Sequence, residues 1–127
     1  MGGKKKMKVH YYKRHSKMSE FFTYNSFSIK EYEGRPVVFI PSEFKNEYVE
    51  LPIKLANLEL EKVFHVLNVG DGTNPNPMAT KENQDWIRAS ETRHTSMSCG
   101  DMIETEDGTW YVVLDVGFGK IVWIEER

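Results

Sequence analysis

Three side chains able to hold a metal or move a proton, His94, Cys99 and Asp101, fall within eight residues of one another. A structural zinc site needs four ligands, with Cys or His paired at short spacing, and the chain has a single cysteine. A polar loop entering a strand, with Cys99 as a small buried side chain, accounts for the same residues. Cys99 as a nucleophile would need His94 or His65 as its base, and nothing in the sequence supplies a third, orienting group or an oxyanion hole. Glu104, Glu106 and Asp107 gather by a turn, where solvated acids are expected. Gly70-Asp71-Gly72 lacks the glycine spacing of a dinucleotide fingerprint and the Gly-Lys-Ser/Thr ending of a P-loop, so it reads as a plain turn. No catalytic residue, metal or cofactor is assigned, and the chain is read as a non-enzyme.

A different chemistry is suggested by the basic start of the chain. Residues 1–18 hold seven of the 17 Lys and Arg and none of the 19 acids, leaving 10 bases against 19 acids beyond them, a formal charge of −9. Lys4, Lys5, Lys6, Lys8, Lys13 and Arg14 stand beside Tyr12, a mixture suited to neutralising phosphates and stacking on bases. Such an arm on an acidic body could grip a nucleic acid or fold back on its own acidic face. Residues 1–6 read as a flexible basic arm.

The elements that would position these groups belong to one domain of 127 residues, large enough for a hydrophobic core, with 39% hydrophobic and 13% aromatic residues. The lone cysteine favours a reducing compartment. No apolar run approaches the roughly 20 residues that span a bilayer, and no apolar segment follows the basic start as in a secretory signal. The expectation is a soluble, cytoplasmic protein without membrane contact.

Taken in order, residues 7–12 read as a strand with Met7, Val9 and Tyr11 on one face. Residues 19–22 suggest a helical turn. Residues 27–33 and 36–40 form a hairpin about Glu33-Gly34, and Val37-Val38-Phe39-Ile40 should be a central strand ended by Pro41. A short strand is placed at 48–51, with Pro52 opposing a helix. Residues 58–69 fit strand or helix. Strand propensity at Val63, Phe64, Val66 and Val69 favours a strand over 62–68. A short helix is expected over 81–89, with Thr80 before it and Trp86 and Ile87 inward. Three strands follow as a meander: one from Met102, a tight turn at Asp107-Gly108, a second over 110–116, a break at Gly117-Phe118-Gly119 and a third over 121–124.

The run Thr95-Ser96-Met97-Ser98-Cys99-Gly100-Asp101-Met102-Ile103 resembles a segment of small proteins of phages and integrative elements, the YodL-like family being the nearest. The pattern is similar to Arg-Ser-Met-Ser-Val-x-Asp-Val-Ile, then a turn, a Tyr-containing strand and Gly-Phe. Tyr111 and Gly117-Phe118 stand at comparable places, and Asn74-Pro75 looks like the Asn and Pro before the motif. The likeness covers residues 62–121 and departs from the pattern at Cys99-Gly100 and in a longer insert over 78–93. It implies a mobile-element context and carries over no catalytic residue. Read physically, His94, Ser96, Ser98 and Asp101 form a motif loop whose side chains can bond nearby backbone amides and fix the start of the strand.

The resulting expectation is an α+β fold: a bent, mostly antiparallel sheet or barrel with one or two short helices. Its core should draw on Trp110, Val112, Leu114, Ile121 and Trp123 with Val38, Ile40, Phe64 and Val66. The function expected is that of an accessory protein of a phage or mobile element that binds a host or element-encoded protein. The alternative is weak, sequence-nonspecific binding of nucleic acid by the basic segment.

Overall fold

The alternation in Lys-Met-Lys-Val-His-Tyr-Tyr puts Met7, Val9 and Tyr11 on one side of a strand, and all three are buried there. The computed structural model describes residues 6–14, 16, 29–56, 59–92, 94–114 and 117–125. Its strands are β1 (Lys6–Tyr12), β2 (Ile29–Tyr32), β3 (Arg35–Pro41), β4 (Tyr48–Ala56), β5 (Met102–Glu104), β6 (Trp110–Val113) and β7 (Phe118–Ile124). They form one sheet in the order β2-β3-β7-β6-β5-β1-β4. Only β3 and β7 run parallel among the described pairings. The helices are α1 (Leu60–Val69) and α2 (Lys81–Ala89), with 3₁₀ turns at Ser42–Glu47 and Pro77–Ala79. The fold is α+β. The sheet is open, with β2 and β4 at its edges, so the barrel alternative is corrected.

The C-terminal meander β5-β6-β7 is present, all antiparallel. Its first turn is looser than the expected two-residue turn. Glu104 pairs with Trp110, Gly108 N–H donates to Thr105 O, and of the two expected positive-φ residues only Gly108 takes one, at 87°. That is a type I turn followed by a left-handed glycine, a three-residue loop. β7 starts at Phe118, earlier than expected. The hairpin about Glu33-Gly34 forms as read, with φ of 54° and 77°.

The strand expected over 62–68 is a helix. Its apolar residues satisfy both periods, but burial follows the helical one: Val63 and Leu67 are fully buried, Leu60 and Phe64 pack against the same cluster, and Val69 is exposed. Gly70, at φ 83°, ends α1 and donates its N–H to Val66 O. The helix at 81–89 has the expected bounds, with Thr80 Oγ1 accepting from Asn83 N–H at 3.2 Å. β4 runs on to Ala56 through Pro52, which an edge strand tolerates because no neighbour needs its missing N–H. β3 is flanked on both sides, yet lies one strand in from the edge. The expectations for residues 1–5 and 19–22, for 27–28 of the first hairpin strand and for 115–116 of the second meander strand lie outside the described residues. Lys6, expected in a flexible arm, begins β1 opposite Ala56.

Two apolar layers flank the sheet. On one face α1, α2 and Met78 cover Met7, Val9, Tyr11, Ile103 and Val113. On the other, Val38, Ile40, Met102, Val112 and Ile121 pack with Tyr48 and, from the 3₁₀ turn, Phe44. Of the expected core, Val38, Ile40, Val112 and Ile121 are buried, while Trp110, Leu114, Trp123, Phe64 and Val66 are half-buried. The helical layer packs on β4, β1, β5 and β6 and reaches the start of β7 where Phe64 meets Phe118 edge-on, and among the described residues no helix lies over Lys30, Arg35, Val37 and Val122 further along that face.

Candidate functional site

Asp101 is fully buried at the start of β5, and four donors converge on its carboxylate. Tyr12 N–H reaches Oδ1 at 3.2 Å, while Ser98 N–H and Ser98 Oγ reach Oδ2 at 2.8 and 3.2 Å. His94 Nε2 lies 2.9 Å from Oδ2 and 3.1 Å from Oδ1, so with Asp101 accepting, Nε2 carries the ring proton. Burial pushes the carboxyl above its ordinary range, and His94, Ser98 and Tyr12 pull it back. The His94 ring stacks on Tyr11 at 4.4 Å and lies tilted against Tyr12 at 4.7 Å.

These contacts exist because the 94–101 loop crosses the end of β1. Tyr11 and Tyr12 point to opposite faces there, and both reach the loop: Tyr11 OH donates to Thr95 O at 2.9 Å, and Tyr12 OH lies 3.3 Å from Ser98 Oγ. Tyr48 OH donates to Gly100 O at 2.5 Å. Val113 N–H donates to Asp101 O, and Gly100 N–H to Val113 O, joining the loop to β6. Met97, fully buried, donates its N–H to Leu67 O at the end of α1. Asn76 Nδ2 also reaches Leu67 O, at 2.6 Å. The loop therefore fastens helical layer to sheet.

Of the motif residues, the structure brings His94, Ser98 and Asp101 together and leaves Ser96 exposed. An Asp–His pair can orient an imidazole as a base. Here the Ser98 hydroxyl bonds the carboxylate itself, and the imidazole lies against two tyrosines. Cys99 packs with the Tyr48 cluster on the far face of the sheet, and His65 is exposed on α1. No group of three His, Cys, Asp or Glu gathers as metal ligands among the described residues. The turn at 70–72 is held by Asp71, whose carboxylate accepts from Thr73 and Asn74 N–H at 2.8 and 2.6 Å. Those bonds pull its pKa down.

The basic segment is divided. Lys4 and Lys5 lie outside the described residues. Lys6 and Lys8 line a hollow of about 340 Å³ with Lys54, Glu104 and Glu106, so acids face them. Lys13 and Arg14 follow β1, where their N–H groups donate to Glu47 O and Glu91 O. Tyr12 is half-buried with its hydroxyl at Ser98, an unsuitable posture for stacking on a base.

Beneath Lys8, His10 Nε2 lies 3.0 Å from Glu104 Oε1, and its ring stacks on Trp110 at 4.2 Å. Burial holds the His10 pKa below the ordinary value, against the pull of Glu104. Trp110 meets Trp123 edge-on at 5.3 Å, and Lys45 Nζ lies 5.6 and 4.9 Å from their ring centres.

A surface that sequence reasoning missed lies at the uncovered end of the helical face. Cross-strand register sets Lys30, Val37, Lys120 and Tyr111 in one row over β2, β3, β7 and β6. Phe39 and Val122 pair in the next row, and Tyr32 and Arg35 lie on the other side. Tyr32 is 54% and Val122 38% exposed, values that mark them as surface rather than core. An open groove of about 860 Å³ runs from Tyr32 and Val37 to Tyr111, bounded by Leu60 at the start of α1. The alternation Arg35-x-Val37-x-Phe39 held the signal, but a strand's alternation does not say which of its faces will be roofed.

Scanned against protein families, curated proteins and solved structures, the chain matches none of them. No helix among the described residues is long and apolar enough to cross a membrane.

Proposed function

We propose that this is a non-enzymatic accessory protein of a phage or mobile element, acting in the cytoplasm by binding a host or element-encoded protein. Inhibition of that partner is the consequence to be sought. One observation carries the reading: an apolar and aromatic sheet end where Tyr32 and Val122 are exposed on one face beside Val37 and Phe39, whereas the other exposed large apolar side chains among the described residues, Val69 and Ile124, stand apart at the ends of α1 and β7. Exposed apolar ground rimmed by polar residues is characteristic of protein interaction sites. The Asp101–His94–Ser98 arrangement supports the same reading, since its donors and acceptor are spent on one another in fastening the loop. The mobile-element setting rests on the resemblance at Thr95–Ile103.

The test is cross-linking in the producing cell, followed by mass spectrometry of the native complex. A stoichiometric protein partner is expected. Recovery of no protein, together with turnover of a small molecule by the pure protein, would sink the proposal.

A further inference from the structure

We infer that the β2-β3-β7 strip of the helical face docks a second copy of this chain about a two-fold axis, so that the α1 start of each copy lies on the strip of the other. The inference goes beyond the protein-binding reading, because it says what covers this face until another protein takes it.

The shape of the face is a step. α1 bounds the groove with Glu59, Leu60 and Glu61, and beyond it no helix among the described residues lies over Lys30, Arg35, Val37 and Val122. Three strands are about 14 Å across, and a helix with its side chains is about 10–12 Å thick. Such a step is filled by the same step turned over. A two-fold axis along the strands sets each copy's helix start on the other's bare strands. Leu60, only partly buried in its own chain, then meets Val37 and the exposed Tyr32 of the second copy.

The charges match that arrangement. Glu59 and Glu61 stand on the helix side of the groove, and Lys30, Arg35 and Lys120 on the strands. Glu33 is an acid at the hairpin turn that ends the strip, so three bases and one acid leave the strand side at +2, against −2 from the two helix-side acids. All six are exposed, and none forms an ion pair within its own chain among the described residues. A patch with bases on one side and acids on the other is its own complement, because the two-fold axis brings each side to its opposite. Arg35 of each copy faces Glu61 of the other. Lys120, in the row between, has a flexible stem that lets its ammonium turn toward the acids of either copy.

An occupant of one charge sign fits less well, since an acidic peptide, a basic peptide or a nucleic-acid strand meets like charge on one side of the groove. The strip and helix start of two copies would bury about 1,000 Å² in total, the lower limit for a specific interface. The dimer is therefore weak and depends on concentration.

The test is sedimentation of the full-length protein from about 1 to about 500 µM, a range that brackets micromolar association. Arg35→Glu, Glu61→Arg and their equimolar mixture are run beside it, with Lys81→Glu on α2 as a control. Unfolding midpoints establish that each variant is folded. Wild type should pass from monomer to dimer across the range. Each groove variant alone sets like charges together at both symmetry-related contacts and should weaken dimerisation about tenfold or more, with no more than about a twofold change for Lys81→Glu. Mixed, the two variants restore both opposite-charge pairs, so dimers should return, and native mass spectrometry should find one copy of each variant in them. A wild type monomeric throughout, a dimer indifferent to both groove variants, or a mixture no more dimeric than its parts would each overturn the inference. A monomeric wild type leaves the protein-binding reading standing, because cross-linking in the producing cell decides that one. Cross-links found only between copies of this chain would sink the protein-binding reading and leave the dimer.

Discussion

His94 Nε2 lies 2.9 and 3.1 Å from the two oxygens of Asp101, a carboxylate with no exposed surface, and the same carboxylate binds the Tyr12 amide 89 positions away in sequence. The pair thus ties the first strand to the last third of the chain. A charge in that position is tolerable only while its donors remain, because removing one partner of a buried pair leaves the other uncompensated. Asp101→Ala should cost about 3–5 kcal/mol, and His94→Ala less, since Ser98 and Tyr12 would still bond the carboxylate. Urea unfolding of both variants and of the double variant measures this. Additive losses would show that the two residues do not act as a unit.

His10 gives a pH dependence. Burial lowers its pKa below 6.5, so the unfolded chain takes up the proton more readily than the folded one. Its contribution is therefore complete above the unfolded value and is lost as pH falls below about 6.5, at no more than about 1.4 kcal/mol per pH unit. His10→Gln removes the titration. The stability difference between wild type and variant, measured by denaturant unfolding at pH 8, 6.5 and 5, should shift steadily in favour of the variant toward acid. A constant difference would refute the assignment.

Two glycines of one turn separate strain from collision. Gly72 has φ 88° and open space where a Cβ would go, so Gly72→Ala should cost about 1–2 kcal/mol from backbone strain alone. At Gly70, with φ 83°, a Cβ would stand 2.1 Å from the backbone oxygen of Asn74. Gly70→Ala should therefore cost at least about 1 kcal/mol more than its neighbour. Thermal unfolding of the two variants side by side decides it.

Lys45 above Trp110 and Trp123 is the third contact to weigh. Lys45→Met keeps most of the stem and removes the cation, and should cost about 0.5–1 kcal/mol. Tryptophan fluorescence should change with it, because the ammonium lies within 5.6 Å of both ring centres. Unchanged stability and emission would make the contact incidental.

The nucleic-acid alternative is tested by salt. An arm holding four or five phosphates of a single strand would give a slope of log affinity on log salt of about −3 to −3.5. With Lys6 and Lys8 facing Glu104 and Glu106, and Tyr12 turned to Ser98, no binding of a twenty-residue oligothymidylate is expected at physiological salt. Binding that shows this slope, and disappears when residues 1–5 are removed, would reinstate the alternative.

Features decided within a few residues could be read along the chain. Thr80 caps α2 through an amide three positions on, Glu33-Gly34 turns its own hairpin, and Met7, Val9 and Tyr11 share a face because a strand alternates. Residues 60–69 could not be read this way, because Val63, Phe64, Val66 and Leu67 satisfy two periods, and only the sheet face they cover selects the helical one. The motif loop was legible as a set of hydrogen-bonding side chains, but its main partners were not: Tyr11, Tyr12 and Tyr48 come from strands far away in sequence. The parallel pairing of β3 with β7, and the open face it creates, belong wholly to the tertiary structure. A ten-residue helix is about 15 Å long, whereas seven strands side by side span about 29 Å. Which strands lie beneath the helices, and which do not, is therefore settled by packing between distant segments, where local periodicity carries no information.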